Sequence, residues 1–312
     1  MNVAGGEDSL GTMHEVGDRV WAYVQDDGTW WVNNAGAVKG PDGVFIVDTC
    51  ATQRRTSAFL NAVSRVAGTT PIRWAMNTHA HGDHTYGNSL LPAEVTLIGH
   101  AQMREQLLTD MIIEGCPPLW EPVPDWGDVV RRVPSLTFAD SVTVHLGDRQ
   151  VEVQHPGYPA HTTGDSVAWL PPERILFSGD LLFNGLTPLV FMGSVTGAIA
   201  SLDWIAALQP LTVVPGHGPV IGEEDLPGVL DSHRRYYQMV IELAGRGMDS
   251  GLSPLDVARG ADLGEFADWA DSERLVPNLH RVYADREGHE LDPVSALGDA
   301  VSWAGRRMQT SV

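Results

Sequence analysis

The segment Asn77 to His84 reads Asn-Thr-His-Ala-His-Gly-Asp-His, placing three histidines and an aspartate within six positions. Imidazole nitrogen and carboxylate oxygen are the ligands that a borderline-soft divalent ion such as zinc accepts. On an extended backbone, side chains two residues apart point the same way, so His79 and His81 can reach one ion. Gly82 permits a turn that carries Asp83 and His84 towards a second position. Three more residues of the same types recur beside glycine at expected strand ends, where rim loops carry chemistry. They are His161 in Pro159-Ala160-His161-Thr162-Thr163-Gly164, Asp180 in Ser178-Gly179-Asp180, and His217 in Pro215-Gly216-His217-Gly218. Singly each reads as a turn residue; together they make a set of seven ligands.

The competing reading of a histidine-rich surface turn does not account for that recurrence. His14, His100, His145, His155, His233, His280 and His289 fall outside the pattern, and surface or hydrogen-bonded structural roles are expected for them. His155 is the nearest competitor for His161, but its neighbours do not match. Cys50 and Cys116 form no Cys-x-x-Cys pair and are expected to be a packed and a loop thiol. A serine hydrolase is disfavoured because no Gly-x-Ser-x-Gly elbow occurs.

The elements that must position these residues are short apolar runs separated by turn signals. Strands are expected at Arg19 to Gln25, Trp30 to Val38 (a hairpin across Asp26-Asp27-Gly28), Val44 to Val47, Ile72 to Met76 and Val95 to Ile98. Later ones are expected at Val142 to Leu146, Val151 to His155, Ser166 to Leu170, Ile175 to Phe177 and Leu211 to Val214. Apolar residues at helical spacing predict helices over Thr56 to Ala67, Ala101 to Ile113 and Ala198 to Leu208. From Asp225 onward the texture is helical, with helices predicted over Val229 to Arg246, Pro254 to Arg259, Asp262 to Asp285 and Pro293 to Met308. The expected layout is a mixed α/β domain over 1–225 and a helical extension over 226–312 packed on it. Asp110 to Pro134, rich in proline and tryptophan, reads as a functional loop.

Composition narrows the partners. The 312 residues hold twenty Lys+Arg and forty Asp+Glu, a formal charge of −20. Nucleic-acid backbones and anionic membranes are therefore excluded as partners, since both need clustered cations. Apolar residues at 43% with 19% charged describe a folded globular chain. Met1 to Val16 has acidic residues and no apolar run, and no stretch approaches a membrane span, so a cytoplasmic location is expected.

The motif set from His79 to His217 resembles the metallo-β-lactamase superfamily. That resemblance implies a four-layer αββα sandwich with a dinuclear centre of two Zn²⁺ ions. His79, His81 and His161 would hold one ion, Asp83, His84 and His217 the other, and Asp180 would bridge them. Asp48, ending an early strand, matches the family's early acidic position and would support a ligand from behind. A shared water whose pKa falls from about 15.7 to near 7 would be the nucleophile. Asp83, the expected catalytic residue, would orient it and pass its proton to the leaving group.

Within the superfamily, Trp30 to Gly36, the apolar loop Asp180 to Gly197 and the segment Trp269 to Tyr283 resemble actinobacterial aromatic polyketide bicyclases with thioesterase activity. This implies aldol ring closure and thioester hydrolysis of a small acyl substrate, carried on an acyl carrier protein. Trp31, Trp120, Phe183 and Ser194 are the expected pocket residues, with Trp30 and Trp126 as further aromatic candidates. A carrier protein would require arginines gathered at the mouth of the site. A lactonase or β-lactamase-like amidohydrolase is the alternative enzyme. A diiron redox or sensor module is the alternative of another class.

Overall fold

The computed structural model describes residues 10–25 and 27–312; Asp26 of the expected turn, and residues 1–9 with Glu7 and Asp8, lie outside the described residues. The first half contains β1 (Thr12–Gly17), β2 (Val20–Val24), β3 (Ala35–Gly40), β4 (Gly43–Val47), α1 (Gln53–Ala67), β5 (Ile72–Met76) and the single-turn α2 (Gly82–Thr85). It continues with β6 (Thr96–His100), α3 (Ala101–Thr109), β7 (Trp120–Glu121) and β8 (Leu136–Phe138). The second half has β9 (Ser141–His145), β10 (Gln150–Gln154), β11 (Val167–Leu170), β12 (Ile175–Phe183), α4 (Val195–Leu208), β13 (Thr212–His217) and β14 (Ile221–Gly222). The C-terminal elements are α5 (Leu226–Asp249), α6 (Pro254–Arg259), α7 (Leu275–Glu287), α8 (Pro293–Ala304) and β15 (Met308–Gln309).

A seven-stranded sheet in the order β1-β2-β3-β4-β5-β6-β8 packs on a six-stranded sheet in the order β14-β13-β12-β11-β10-β9. Side-chain alternation along each strand explains the layering. Val20, Ala22, Val24, Phe45 and Val47 point inward to meet Ala168, Leu170, Ile175 and Phe177 of the second sheet. The alternate residues Trp21, Tyr23, Val44 and Ile46 point outward onto Phe59, Ala62 and Val63 of α1. On the far side, Val167, Trp169, Leu176 and Val213 meet Leu202 and Ile205 of α4 and the buried stripe of α5. The result is an αββα sandwich with additional C-terminal helices.

The helical extension shares one continuous core with the second sheet: Tyr236, Tyr237, Val240, Leu275, Leu279 and Leu297 pack in the same cluster as Leu176 and Phe183. The chain end reaches back, with β15 pairing parallel to β7 so that Met308 lies opposite Trp120.

Three expected elements differ. Trp30 to Asn34 are not strand, because Trp31 adopts a left-handed backbone at φ 69 that a β-strand cannot contain. The backbone there is held by Arg55 donating to the Asn33 carbonyl (2.6 Å) and Asn34 donating to the Pro215 and Gly218 carbonyls (2.9 and 2.7 Å). β2 and β3 still pair antiparallel, across a longer loop. The expected helix over Asp262 to Asp285 begins only at Leu275, because Asp271 is left-handed (φ 56) and interrupts it. The last helix ends at Ala304 on left-handed Gly305 (φ 64), leaving Met308 for β15.

His233 of α5 gives a pH-dependent contribution to stability. Its Nδ1 donates to the Val229 carbonyl (2.9 Å) and its Nε2 accepts from the Phe183 N–H (3.2 Å), an arrangement only neutral imidazole can make. Burial holds it down to about 4, against the opposing pull of the Val229 carbonyl. Between about 4 and about 6.5 the unfolded chain binds a proton that the folded chain does not. Stability from this group is complete above about 6.5 and falls as pH drops through that window, by about 3 kcal/mol at its lower end. Urea midpoints at several pH values should show a shallower acid slope for His233→Gln than for the natural chain; equal slopes would refute the assignment.

Candidate metal centre

β5 ends at Met76, and the following turn carries His79, His81, Asp83 and His84 into the gap between the sheets' ends. β12 is longer than its apolar start suggests: it continues to Phe183 through a register irregularity after Phe177 and delivers Asp180. β13 delivers His217, and the turn held by Asp165 delivers His161. Asp165 accepts from the Thr162 N–H (2.9 Å), the Thr162 hydroxyl (2.6 Å) and the Ala160 N–H (3.3 Å). Burial lifts its carboxyl to about 7, against those donors.

One ligand atom from each of His79, His81, His161 and Asp180 lies within 4.8 Å of the others, and Asp83, His84 and His217 form a second such group. His81 turns Nδ1 inward, 3.1 Å from His79 Nε2 and 2.8 Å from His161 Nε2. Asp180 stands between the groups, with Oδ2 3.3 Å from His161 Nε2 and 3.4 Å from His217 Nε2, and Oδ1 3.1 Å from His84 Nε2. Gly216 is required beside it, since a Cβ there would lie 1.8 Å from Asp180 Oδ1.

The outward nitrogens of four of the five histidines are held by partners, while that of His81, Nε2, is buried without one. His84 Nδ1 bonds Asp48 Oδ2 (2.8 Å), His161 Nδ1 the Leu189 carbonyl (2.5 Å) and His217 Nδ1 the Gly28 carbonyl (2.9 Å). His79 Nδ1 lies 3.1 Å from the Thr78 hydroxyl, which itself donates to Asp48 Oδ2 (2.8 Å). A proton on each outer nitrogen leaves a lone pair on each inner one, the arrangement found around metal-binding histidines. Within the centre, His84 Nε2 and Asp180 Oδ1 are buried and face each other at 3.1 Å without forming an aligned hydrogen bond. Buried polar atoms left this way are costly unless something else satisfies them, and the donor set fits a divalent cation.

Charge in the cation-free chain follows the same geometry. Burial pushes His161 down to about 3 and holds His79 and His81 low. For His84 and His217 burial is outweighed by Asp180 and the neighbouring carboxylates, which push His217 up to about 9 and His84 well up. Burial opposes ionisation of Asp83 and Asp180, but the surrounding imidazoles hold both low.

The centre opens into a cavity of about 350 Å³. Trp31, Trp120 and Phe183 line it, as do Trp30, Tyr86, Phe191 and Leu189. Ser194 does not: it caps α4, its hydroxyl accepting from the Gly197 N–H (3.3 Å). Trp126 packs behind Trp31 at 4.8 Å and donates to the Ile112 carbonyl. His155 stacks on His100 at 4.1 Å and bonds the Asp165 carbonyl, apart from the centre. Sequence reasoning did not single out Arg274, Tyr86 or Asp110, all on the cavity wall. Arg274 has no local signal, because the rings its guanidinium stacks on, Trp30 (4.7 Å) and Phe183 (5.4 Å), are far away in the chain.

The family model of the metallo-β-lactamase superfamily matches residues 28–217. The chain belongs to the metallo-β-lactamase superfamily. Among curated proteins it is 26% identical over 254 residues to a linear primary-alkylsulfatase of Pseudomonas sp., covering 70% of this chain but only 47% of that one. The chain thus spans about half the length of that relative. It is 25% identical to acyl-coenzyme A thioesterase MBLAC2 of Bos taurus, over 64% of this chain and 81% of that one. Among solved structures, a metallo-β-lactamase from Pontibacter korlensis superposes with a TM-score of 0.58 at 18% identity, covering 73% of this chain and 99% of that one. That last likeness concerns the fold. Among the described residues no helix is long and apolar enough to cross a membrane.

Asp48→Asn should weaken zinc binding by about 10- to 100-fold, the usual effect of losing a carboxylate behind a ligand imidazole. Competition with a zinc-binding dye reads this directly; an unchanged affinity would show that Asp48 supports only the turn.

Proposed function

We propose that this superfamily member is a metal-dependent hydrolase of acyl thioesters that also closes rings on a polyketide-type acyl chain. The observation that carries the reading is the gathering of seven histidine and aspartate side chains able to hold metal, of which His81, Asp83, Asp180 and His217 line an aromatic cavity. A divalent cation bound there would polarise a carbonyl and bring the pKa of water towards 7. Asp83 lines the cavity with its Oδ2 3.2 Å from His217 Nε2, a position from which the carboxylate can hold a proton and release it to a departing sulfur. Trp31, Trp120 and Phe183 exclude water and offer flat faces to a planar acyl group. A site that stabilises the oxyanion of hydrolysis also stabilises an enolate, which is what aldol ring closure requires. The similarity to an acyl-coenzyme A thioesterase supports the thioester over other acyl groups.

The test is turnover of thioester, lactone and β-lactam substrates by one metal-loaded preparation, with elemental analysis of the same sample. The expected result is about two zinc ions per chain, following the seven-ligand set, and thioester cleavage that a chelator abolishes and zinc restores. Absence of thioester turnover by a loaded sample would overturn the reading, and bound iron would favour the redox alternative.

A further inference from the structure

The cavity wall outside the metal centre bears on which thioesters can enter. On one side of the mouth Met111, 64% exposed, and Ile112 come from the proline-rich segment. On the other Pro293 and Leu297 of α8 line the cavity, and Val294, 76% exposed, lies beside them in the chain. Neither lip carries a cation in these residues, and the residues that precede them in the chain are the carboxylates Asp110 and Asp292.

Among the described residues, Arg274 is the one cationic side chain of the wall that belongs to no metal-binding group, and its charge is already committed. It is 1% exposed, its guanidinium stacked on Trp30 and Phe183, ion-paired to Asp271 at 2.8 Å and donating to the Thr187 carbonyl at 3.1 Å. The other ionisable group of that wall is the Asp110 carboxylate, which accepts from the Tyr86 hydroxyl (2.7 Å) and the Ile112 N–H (2.8 Å). Arg131, on the same segment, turns its guanidinium to the Asp110 carbonyl and lies 3.6 Å from Glu114. Phosphate groups are recognised by guanidinium or ammonium groups free to pair with them. The chain's net charge of −20 adds long-range repulsion of any anion.

We infer that the substrate's handle is neutral: the site takes an apolar acyl group on a small uncharged thiol and discriminates against thioesters of phosphate-bearing carriers. This rests on the thioester reading above and separates the protein from its acyl-coenzyme A thioesterase relative. It also sets aside the acyl carrier protein expected from the sequence, because among the described residues no free arginine stands on the cavity wall. The apolar lips receive the neutral handle, while a nucleotide phosphate or an acidic carrier protein meets Asp110 and no free cation on the wall.

The test measures binding rather than turnover, so that it stands apart from the thioesterase assay. Two non-hydrolysable thioethers with the same decyl chain, one on N-acetylcysteamine and one on coenzyme A, are titrated into the zinc-loaded full chain and followed by tryptophan fluorescence. The neutral ligand should bind about tenfold tighter or more, a margin at the lower end of electrostatic discrimination. Raising salt from roughly 50 to roughly 500 mM should narrow the gap by screening. Met111→Lys, at an exposed position, should narrow it as well. Equal or tighter binding of the coenzyme A ligand, binding of neither, or a gap unmoved by both salt and Met111→Lys would overturn the inference. A preserved neutral preference in a protein that cleaves no thioester would instead remove the hydrolase reading.

Discussion

Asp180→Ala should lower kcat/KM for the best thioester by about 10³ or more and strip the protein of metal, with far-ultraviolet circular dichroism unchanged. Among the described residues no other carboxylate stands between the two ligand groups: Asp180 Oδ2 reaches towards His161 and His217 and Oδ1 towards His84, all within 3.4 Å. Charge stabilisation by a bound cation is worth several kcal/mol, and each 1.36 kcal/mol is tenfold in rate. Without the carboxylate, imidazoles packed as closely as His79 and His84, whose rings are 4.2 Å apart, lose the anion that balances a cation in their midst. Full metal content together with activity within about tenfold of the natural chain would refute this role.

Arg274→Met should destabilise the fold by about 3–5 kcal/mol, the range for breaking a buried ion pair from one side. The guanidinium is enclosed by two aromatic rings, and its partner Asp271 is itself 7% exposed along the side chain. Burial already raises the Asp271 carboxyl, with Arg274 the chief group opposing it. Removing the cation leaves an anion with no counter-charge, which must either take a proton or expose itself. Adding Asp271→Asn to the variant should therefore recover part of the loss. Urea unfolding of the natural chain, the single variant and the double variant measures both effects. A single variant within about 1 kcal/mol of the natural chain would show that the pair contributes little. Trp30, on which the guanidinium stacks at 4.7 Å, lines the cavity, so the same substitution should loosen that wall and raise KM.

Much of the fold was legible because its strands are short, apolar and alternating. Ile72 to Met76 and Pro254 to Arg259 were read with the bounds they have. Most other predicted elements were displaced by a few residues. Failures occurred where a single backbone dihedral decided the outcome. Trp31 and Asp271 are ordinary residues in composition, and nothing local announces a positive φ; Trp31 packs on Trp120 from a distant segment, and Asp271 pairs with Arg274 three residues on. Ser194, expected in the pocket, instead caps the helix that follows it, the local hydrogen-bonding preference of a serine at that position.

What the sequence determined by itself was which histidines and aspartates the fold gathers into two groups, because metal chemistry limits the residue types and a strand followed by a glycine turn limits where they can stand. The αββα layering was implied by the resemblance of the motif set, while the short apolar runs by themselves gave only a mixed α/β domain. Strands such as Val20–Val24 and Gly43–Val47 are buried on both faces and show no alternation of burial. Tertiary structure alone decided which nitrogen of His84, His161 and His217 faces inward, since the outer nitrogen is claimed by Asp48, Leu189 or Gly28 from distant segments. It also decided the character of the cavity. Trp30 and Trp31, the proline-rich loop, Phe183 and Arg274 come from four separate stretches of chain, and burial of a common apolar surface is what brings them to one wall.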